Sequence, residues 1–191
     1  MKVGLYFGSF NPPHLGHLAI AQAAIEHAHL DEIWFVVSPQ NPFKTNDALA
    51  PENQRLAMVE LMCAADKRLT ACAIEFTLPK PSYTCDTLRL LSVQFENEFH
   101  LIIGEDNWRV FNKWREYDWI LKHYPVLVYG RRPTATESIS HNLSGNVHFI
   151  QGEYLEVSAT EIRDRIRRGE SIAAFVDPLV ETYITAAALY R

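Results

Sequence analysis

The sequence predicts an α/β fold: a doubly wound parallel sheet with helices on both faces. Two observations carry the prediction. Short apolar runs alternate with longer stretches of helical spacing along the whole chain, and strands alternating with helices build βαβ units around a parallel sheet. The chain is also long enough, at 191 residues and 48% hydrophobic, to bury a core.

Val3 to Phe7 reads as a buried strand, and His14 to His29 as a helix with Leu18, Ala21, Ile25 and Ala28 near helical spacing. Glu32 to Val37 is the second strand. Pro51 suits a first helical position, and that helix runs on to about Ala65. Cys72 to Phe76 is expected as the third strand, Tyr83 to Phe95 as a helix, and Phe99 to Ile103 as the fourth strand. An aromatic helical segment then reaches to about Leu121. Pro125 to Tyr129 and residues 147–150 supply two more strands, and helices at roughly 158–168 and 177–189 finish the chain. With no repeat, low-complexity tract or obvious linker, residues 1–191 read as one domain. Such a Rossmann-like sheet binds ligands at the carboxyl ends of its strands, where strand order reverses.

Eighteen Lys and Arg against 23 Asp and Glu leave a net charge of −5. That balance gives no broad footing for nucleic acid, so an anionic ligand must be held by a local basic cluster. No apolar stretch approaches the ~20 residues of a membrane span. Cys63, Cys72 and Cys85 lack metal-site spacing and read as free thiols of a reducing compartment. A cytoplasmic protein without nucleic-acid or membrane partners is the expectation.

The most informative segment, Gly8-Ser9-Phe10-Asn11-Pro12-Pro13-His14-Leu15-Gly16-His17, follows a strand and opens a helix. Gly8 permits close backbone approach, and Pro12 and Pro13 stiffen the helix entry. The new helix offers backbone N–H groups to an anion. His14 and His17, three apart, share a helix face and can donate hydrogen bonds to phosphate oxygens. A metal pair is less attractive, because no Asp, Glu or Cys stands at usual spacing to complete it. Late in the chain, Val157-Ser158-Ala159-Thr160-Glu161-Ile162-Arg163 forms a second anion-type element. Ser158 and Glu161 fit a capping box. Arg163, Arg165, Arg167 and Arg168 make this the most basic spot in an acidic chain.

GSFNPPHLGH resembles the GxFxPxHxGH signature of the HxGH-motif nucleotidyltransferase superfamily, and VSATEIR resembles its late [I/V]SxTxIR segment. Pro81-Ser82-Tyr83-Thr84-Cys85-Asp86-Thr87-Leu88 is similar to the SYTxDTL segment of bacterial nicotinate mononucleotide adenylyltransferases. The resemblance implies an adenylyltransferase that joins ATP to nicotinate mononucleotide, giving a dinucleotide and pyrophosphate. It implies ATP contacts at Gly8, Ser9, Phe10, His14, His17, Gly104, Asp106, Ser158, Thr160 and Arg163, with the helices from about 158 completing the ATP site. His14, His17, Lys44 and Arg163 take the catalytic roles. Lys44, Tyr83, Thr84, Trp114 and Arg132 take the mononucleotide.

The loop from Ser38 to Lys44 departs from the family's PPHK ending, with Phe43 where His is usual. Mg²⁺ is expected with ATP, carried by the phosphates rather than by protein ligands. Ser82 or Thr84 can alternatively cap a helix, and Trp114 can simply pack in the core, as Trp108 and Trp119 are expected to do. Arg165, Arg167 and Arg168 fall outside the motif and read as surface charges. The alternatives are another enzyme of the superfamily, such as a phosphopantetheine adenylyltransferase or a cytidylyltransferase, or a nucleotide-binding module without catalysis.

Overall fold

The computed structural model describes residues 1–40, 49–130, 146–152 and 155–191. Lys44 and Arg132 lie outside the described residues.

Six strands form one sheet: β1 (Lys2–Gly8), β2 (Glu32–Val37), β3 (Leu69–Cys72), β4 (Glu98–Gly104), β5 (Val126–Gly130) and β6 (Val147–Gln151). Their order is β3-β2-β1-β4-β5-β6, and every neighbouring pair is parallel. The chain therefore winds outward from β1 on one side and from β4 on the other. The reversal falls between β1 and β4, whose carboxyl ends are Gly8 and Gly104. This is the doubly wound sheet that the alternating pattern predicts.

The strands alternate with period two between separate cores. Val3, Leu5, Leu101, Ile103, Val126 and Val128 join one core, while Tyr6, Ile102, Leu127 and Tyr129 join the other. Both sets are buried, which is why these strands read as continuous apolar runs. Helices α1 (Leu15–Ala28), α2 (Glu52–Cys63), α6 (Ala159–Arg167) and α7 (Pro178–Ala186) cover the Tyr6 face. On the Leu5 face lie α3 (Thr84–Gln94), the short α4 (Glu105–Trp108) and α5 (Tyr117–His123).

Some boundaries differ from the sequence reading. The third strand enters the sheet at Leu69, released by a turn in which the Leu69 amide binds the Asp66 carbonyl at 2.9 Å. Residues 74–76, expected in this strand, instead fall in a 3₁₀ turn, Ile74–Thr77, because Glu75 is drawn inward to Ser82 and Thr87. The aromatic segment up to Leu121 is not one helix: Trp114 is extended and Glu116 is left-handed, at φ 54. Breaking there lets Trp108, Phe111 and Ile120 all reach the core. Pro51 sits one residue before α2, as its N-cap. Cys63 and Cys85 are buried and Cys72 partly so, all as free thiols. Among the described residues no helix is long and apolar enough to cross a membrane.

Candidate active site

The loop after β1 is folded by its own residues. Phe10 is left-handed at φ 46 and 2% exposed. Its ring lies over Gly8, where a Cβ would come within 2.9 Å of the ring. Phe10 also meets the His17 ring edge-on, with centroids 5.0 Å apart. Gly8 therefore makes room for a side chain of its own loop.

His14 is the N-cap of α1 and stacks on His17, with centroids 3.7 Å apart and planes 24° from parallel. The His14 amide donates to His17 Nδ1 at 3.1 Å. Because Nδ1 accepts, the neutral His17 ring carries its proton on Nε2. Burial pushes the His14 imidazole down to about 4, so it is neutral at pH 7. Its Nδ1 is buried without a hydrogen-bond partner. A Cβ on Gly16 would lie 3.0 Å from that nitrogen and 2.9 Å from Val157 Cγ1. Gly16 thus admits the His14 ring and the segment leading into α6. Of the amides that open α1, Leu15 N–H is already committed to the Phe175 carbonyl at 2.9 Å.

The second element meets the first directly. Arg163, 8% exposed, donates through Nη1 to the Asn11 carbonyl at 2.9 Å and through Nη2 to Thr160 Oγ1 at 3.2 Å. Among the described residues no carboxylate pairs with it. Ser158 caps α6 by accepting from the Glu161 amide at 3.1 Å. The Glu161 side chain does not close the capping box but binds Arg165. The Ala159 and Thr160 amides, at the first two positions of α6, take no hydrogen bond among the described residues. Arg165, Arg167 and Arg168 are surface charges, paired with Glu161, Asp164 and Glu170.

All ten residues expected around ATP line one cavity of about 300 Å³ at the β1/β4 switch point. Asp106 is the one acidic residue among the described residues lining it, and its Oδ1 lies over Gly104, 2.6 Å from where a Cβ would stand. Tyr83, Thr84 and Trp114 do not line this cavity. Trp114 packs on Phe111 at 5.1 Å, and Arg115 lays its guanidinium over the Tyr83 ring at 5.0 Å. Trp108 and Trp119 pack, as expected. Neither Ser82 nor Thr84 caps α3: its N-cap is Tyr83, and Ser82 Oγ instead donates to Glu75 at 2.6 Å.

Sequence reasoning missed Arg55. It is 1% exposed and donates to four carbonyls: Ser9 at 2.6 Å, Ser38 at 2.7 Å, Ala50 at 2.9 Å and Pro39 at 3.0 Å. One signal was present. Arg55 precedes Met58, Val59 and Met62 at offsets of three, four and seven, which puts a charge on the buried stripe of α2. Asn11, inside the first motif, was the other hub: its Oδ1 accepts from the Ala50 amide at 3.0 Å and from the Tyr190 hydroxyl at 2.9 Å.

Donors dominate this wall and a single carboxylate faces them, so the ligand class it suits is a polyphosphate, held where doubly wound α/β enzymes hold nucleotides. The cytidylyltransferase-like family matches residues 5–165. A probable nicotinate-nucleotide adenylyltransferase of Cytophaga hutchinsonii is 44% identical over 191 residues, covering all of this chain and 98% of the relative. One of Flavobacterium johnsoniae is 42% identical, with both chains covered in full. The chain belongs to the cytidylyltransferase-like family of nucleotidyltransferases, among the nicotinate-nucleotide adenylyltransferases. The fold is shared with the nicotinic acid mononucleotide adenylyltransferase of Plasmodium falciparum, solved with NaAD, at a TM-score of 0.80 and 17% identity over 99% of this chain and 97% of that one.

Proposed function

We propose that residues 1–191 form a single nucleotidyltransferase domain that joins ATP to nicotinate mononucleotide. The acceptor's 5′-phosphate oxygen forms a new bond to the α-phosphorus of ATP. In line with it, the bond from that phosphorus to the bridging oxygen breaks and pyrophosphate leaves. The attacking oxygen is already anionic, so no strong base is required, and the protein contributes positioning and charge stabilisation.

His17 donates from Nε2 to the transferring phosphate. His14, neutral and with Nδ1 sealed against Gly16, offers its Nε2. Arg163, Ser158 and Thr160 hold the triphosphate with the open amides of α6, and Asp106 faces the ribose hydroxyls. Lys44 assists at the triphosphate, while Tyr83, Thr84, Trp114 and Arg132 bind the mononucleotide. Among the described residues no group of three or more His, Cys, Asp or Glu could cage a cation. With Asp106 the one carboxylate among the described residues lining the cavity, Mg²⁺ would be carried by phosphate oxygens and would supply charge neutralisation on the leaving pyrophosphate. The reaction belongs in the cytoplasm and needs neither nucleic acid nor a membrane.

The observation that carries this reading is the 2.9 Å bond from Arg163 to Asn11, which brings the two phosphate motifs to one cavity. Pyrophosphate release from ATP with nicotinate mononucleotide, and little with the nicotinamide form, phosphopantetheine or CTP in place of ATP, is the expected result. His17→Ala is expected to lose roughly 10²–10³-fold in turnover while the chain still folds. Near-normal turnover in that variant removes His17 from the mechanism.

A further inference from the structure

Glu75 is 2% exposed, and no cation among the described residues pairs with it. Among the described residues its carboxylate is held by hydroxyls. Ser82 Oγ donates to Oε2 at 2.6 Å and Thr87 Oγ1 donates to Oε1 at 2.8 Å, and the Ser38 side chain also favours the charged form. Burial raises its pKa above the usual carboxylate range, and the three hydroxyls offset only part of that cost. An apolar side chain would fill the space without such a penalty, so the carboxylate must be explained by what it orients.

Its partners belong to two segments that the proposed function gives to the acceptor. Ser82 and Thr87 bracket Tyr83 and Thr84, while Ser38 opens the loop that leads to Lys44. Ser38 is in turn fixed to the ATP side. Its amide donates to the Gly8 carbonyl at 2.9 Å, and its carbonyl shares the Arg55 guanidinium with the Ser9 carbonyl. A path of polar contacts thus runs from the start of α3, through Glu75 and Ser38, to the loop that carries the HxGH histidines.

Resting on the proposed function, we infer that Glu75 is a positioning residue: it fixes residues 82–87 beside Ser38 and so governs affinity for the mononucleotide acceptor, with the ATP site left unchanged. Gln at this position keeps the shape but puts an NH₂ donor in place of one carboxylate oxygen, so either the Ser82 or the Thr87 hydroxyl loses its acceptor.

The test is steady-state kinetics on the full chain. Glu75→Gln is expected to raise KM for nicotinate mononucleotide about tenfold, while KM for ATP and kcat stay within about twofold. Ser82→Ala should shift acceptor KM the same way by a smaller factor. Combined with Glu75→Gln it should add almost nothing, since both remove the same link. A merely structural Glu75 would lower the melting temperature and leave both KM values alone, or move them together, and either result overturns the inference. If Glu75→Gln does not fold, Ser82→Ala and Thr87→Val carry the same reading: a selective rise in acceptor KM supports it, and no rise overturns it. Wild-type protein that releases no pyrophosphate with this acceptor overturns the functional reading and this inference with it. A normal wild type with an unsplit Glu75→Gln overturns this inference alone.

Discussion

Acidification should destabilise this protein through His14, and the size of the effect follows from the burial of one ring. In the unfolded chain the imidazole titrates at its ordinary 6.5, whereas in the fold burial pushes it down to about 4. Between those values the unfolded state binds a proton that the native state refuses. Stability therefore rises with pH across that window and levels off above 6.5. The full shift is worth about 3 kcal/mol at roughly 1.4 kcal/mol per unit, of which about 2 kcal/mol is already lost at pH 5.

Urea unfolding from pH 4.5 to 8 measures this against His14→Gln, which keeps a hydrogen-bonding side chain but cannot titrate. His100 is also lowered by burial, but it is present in both proteins and cancels in the difference. The wild type should lose about 2 kcal/mol relative to the variant on going from pH 7.5 to 5. Parallel profiles, or a His14 ring proton titrating near 6.5 by NMR, would refute the argument that the ring is desolvated by its packing against His17 and Gly16.

Two further substitutions probe the packing that shapes the site. Arg55→Lys replaces a fork serving four carbonyls by one ammonium, leaving some of those buried acceptors unpaired. A loss of about 3 kcal/mol in urea unfolding is expected, and a loss below about 1 kcal/mol would show that the carbonyls find other partners. Gly16→Ala places a Cβ at 2.9–3.0 Å from Val157 and the His14 ring. It should cost roughly 1–3 kcal/mol and raise KM for ATP, and wild-type values for both would mean that the two phosphate motifs are not pressed together there.

Sheet type, helix placement and the switch point were legible because both faces of β1, β4 and β5 are buried, which leaves an unbroken apolar run in each strand. The two phosphate motifs were legible because their residue types only make sense at a strand-to-helix turn. What escaped was polar and internal. Arg55, Glu75 and Asn11 act through carbonyls, hydroxyls and amides brought near by the fold, and a sequence carries no spacing rule for such partners. The third strand was misplaced for the same reason: an alternating Cys72–Phe76 stretch looks like a strand until Ser82 and Thr87 turn Glu75 inward. Tyr83, Thr84 and Trp114, expected from their motif to take the mononucleotide, lie outside the cavity that the two phosphate motifs line.

How an acidic chain presents positive potential to a triphosphate is answered by which arginines keep their charge. The run after Arg163 makes the segment look basic, yet Arg165, Arg167 and Arg168 are each paired with a carboxylate of the same neighbourhood, so their fields largely cancel. Arg163 and Arg55 are instead buried against carbonyls and hydroxyl groups, which satisfy the N–H donors without neutralising the ion. Both reach the same loop, Arg163 at the Asn11 carbonyl and Arg55 at the Ser9 carbonyl. The burial costs energy that a carboxylate would have offset, and it leaves two partly desolvated cations beside the HxGH turn, Arg163 on the cavity wall and Arg55 behind it, where a phosphate bound as proposed would feel them through a low local dielectric. Pairing either with a new carboxylate, rather than deleting it, would therefore restore the lost solvation and abolish the attraction, which separates the electrostatic role of these arginines from their role as struts.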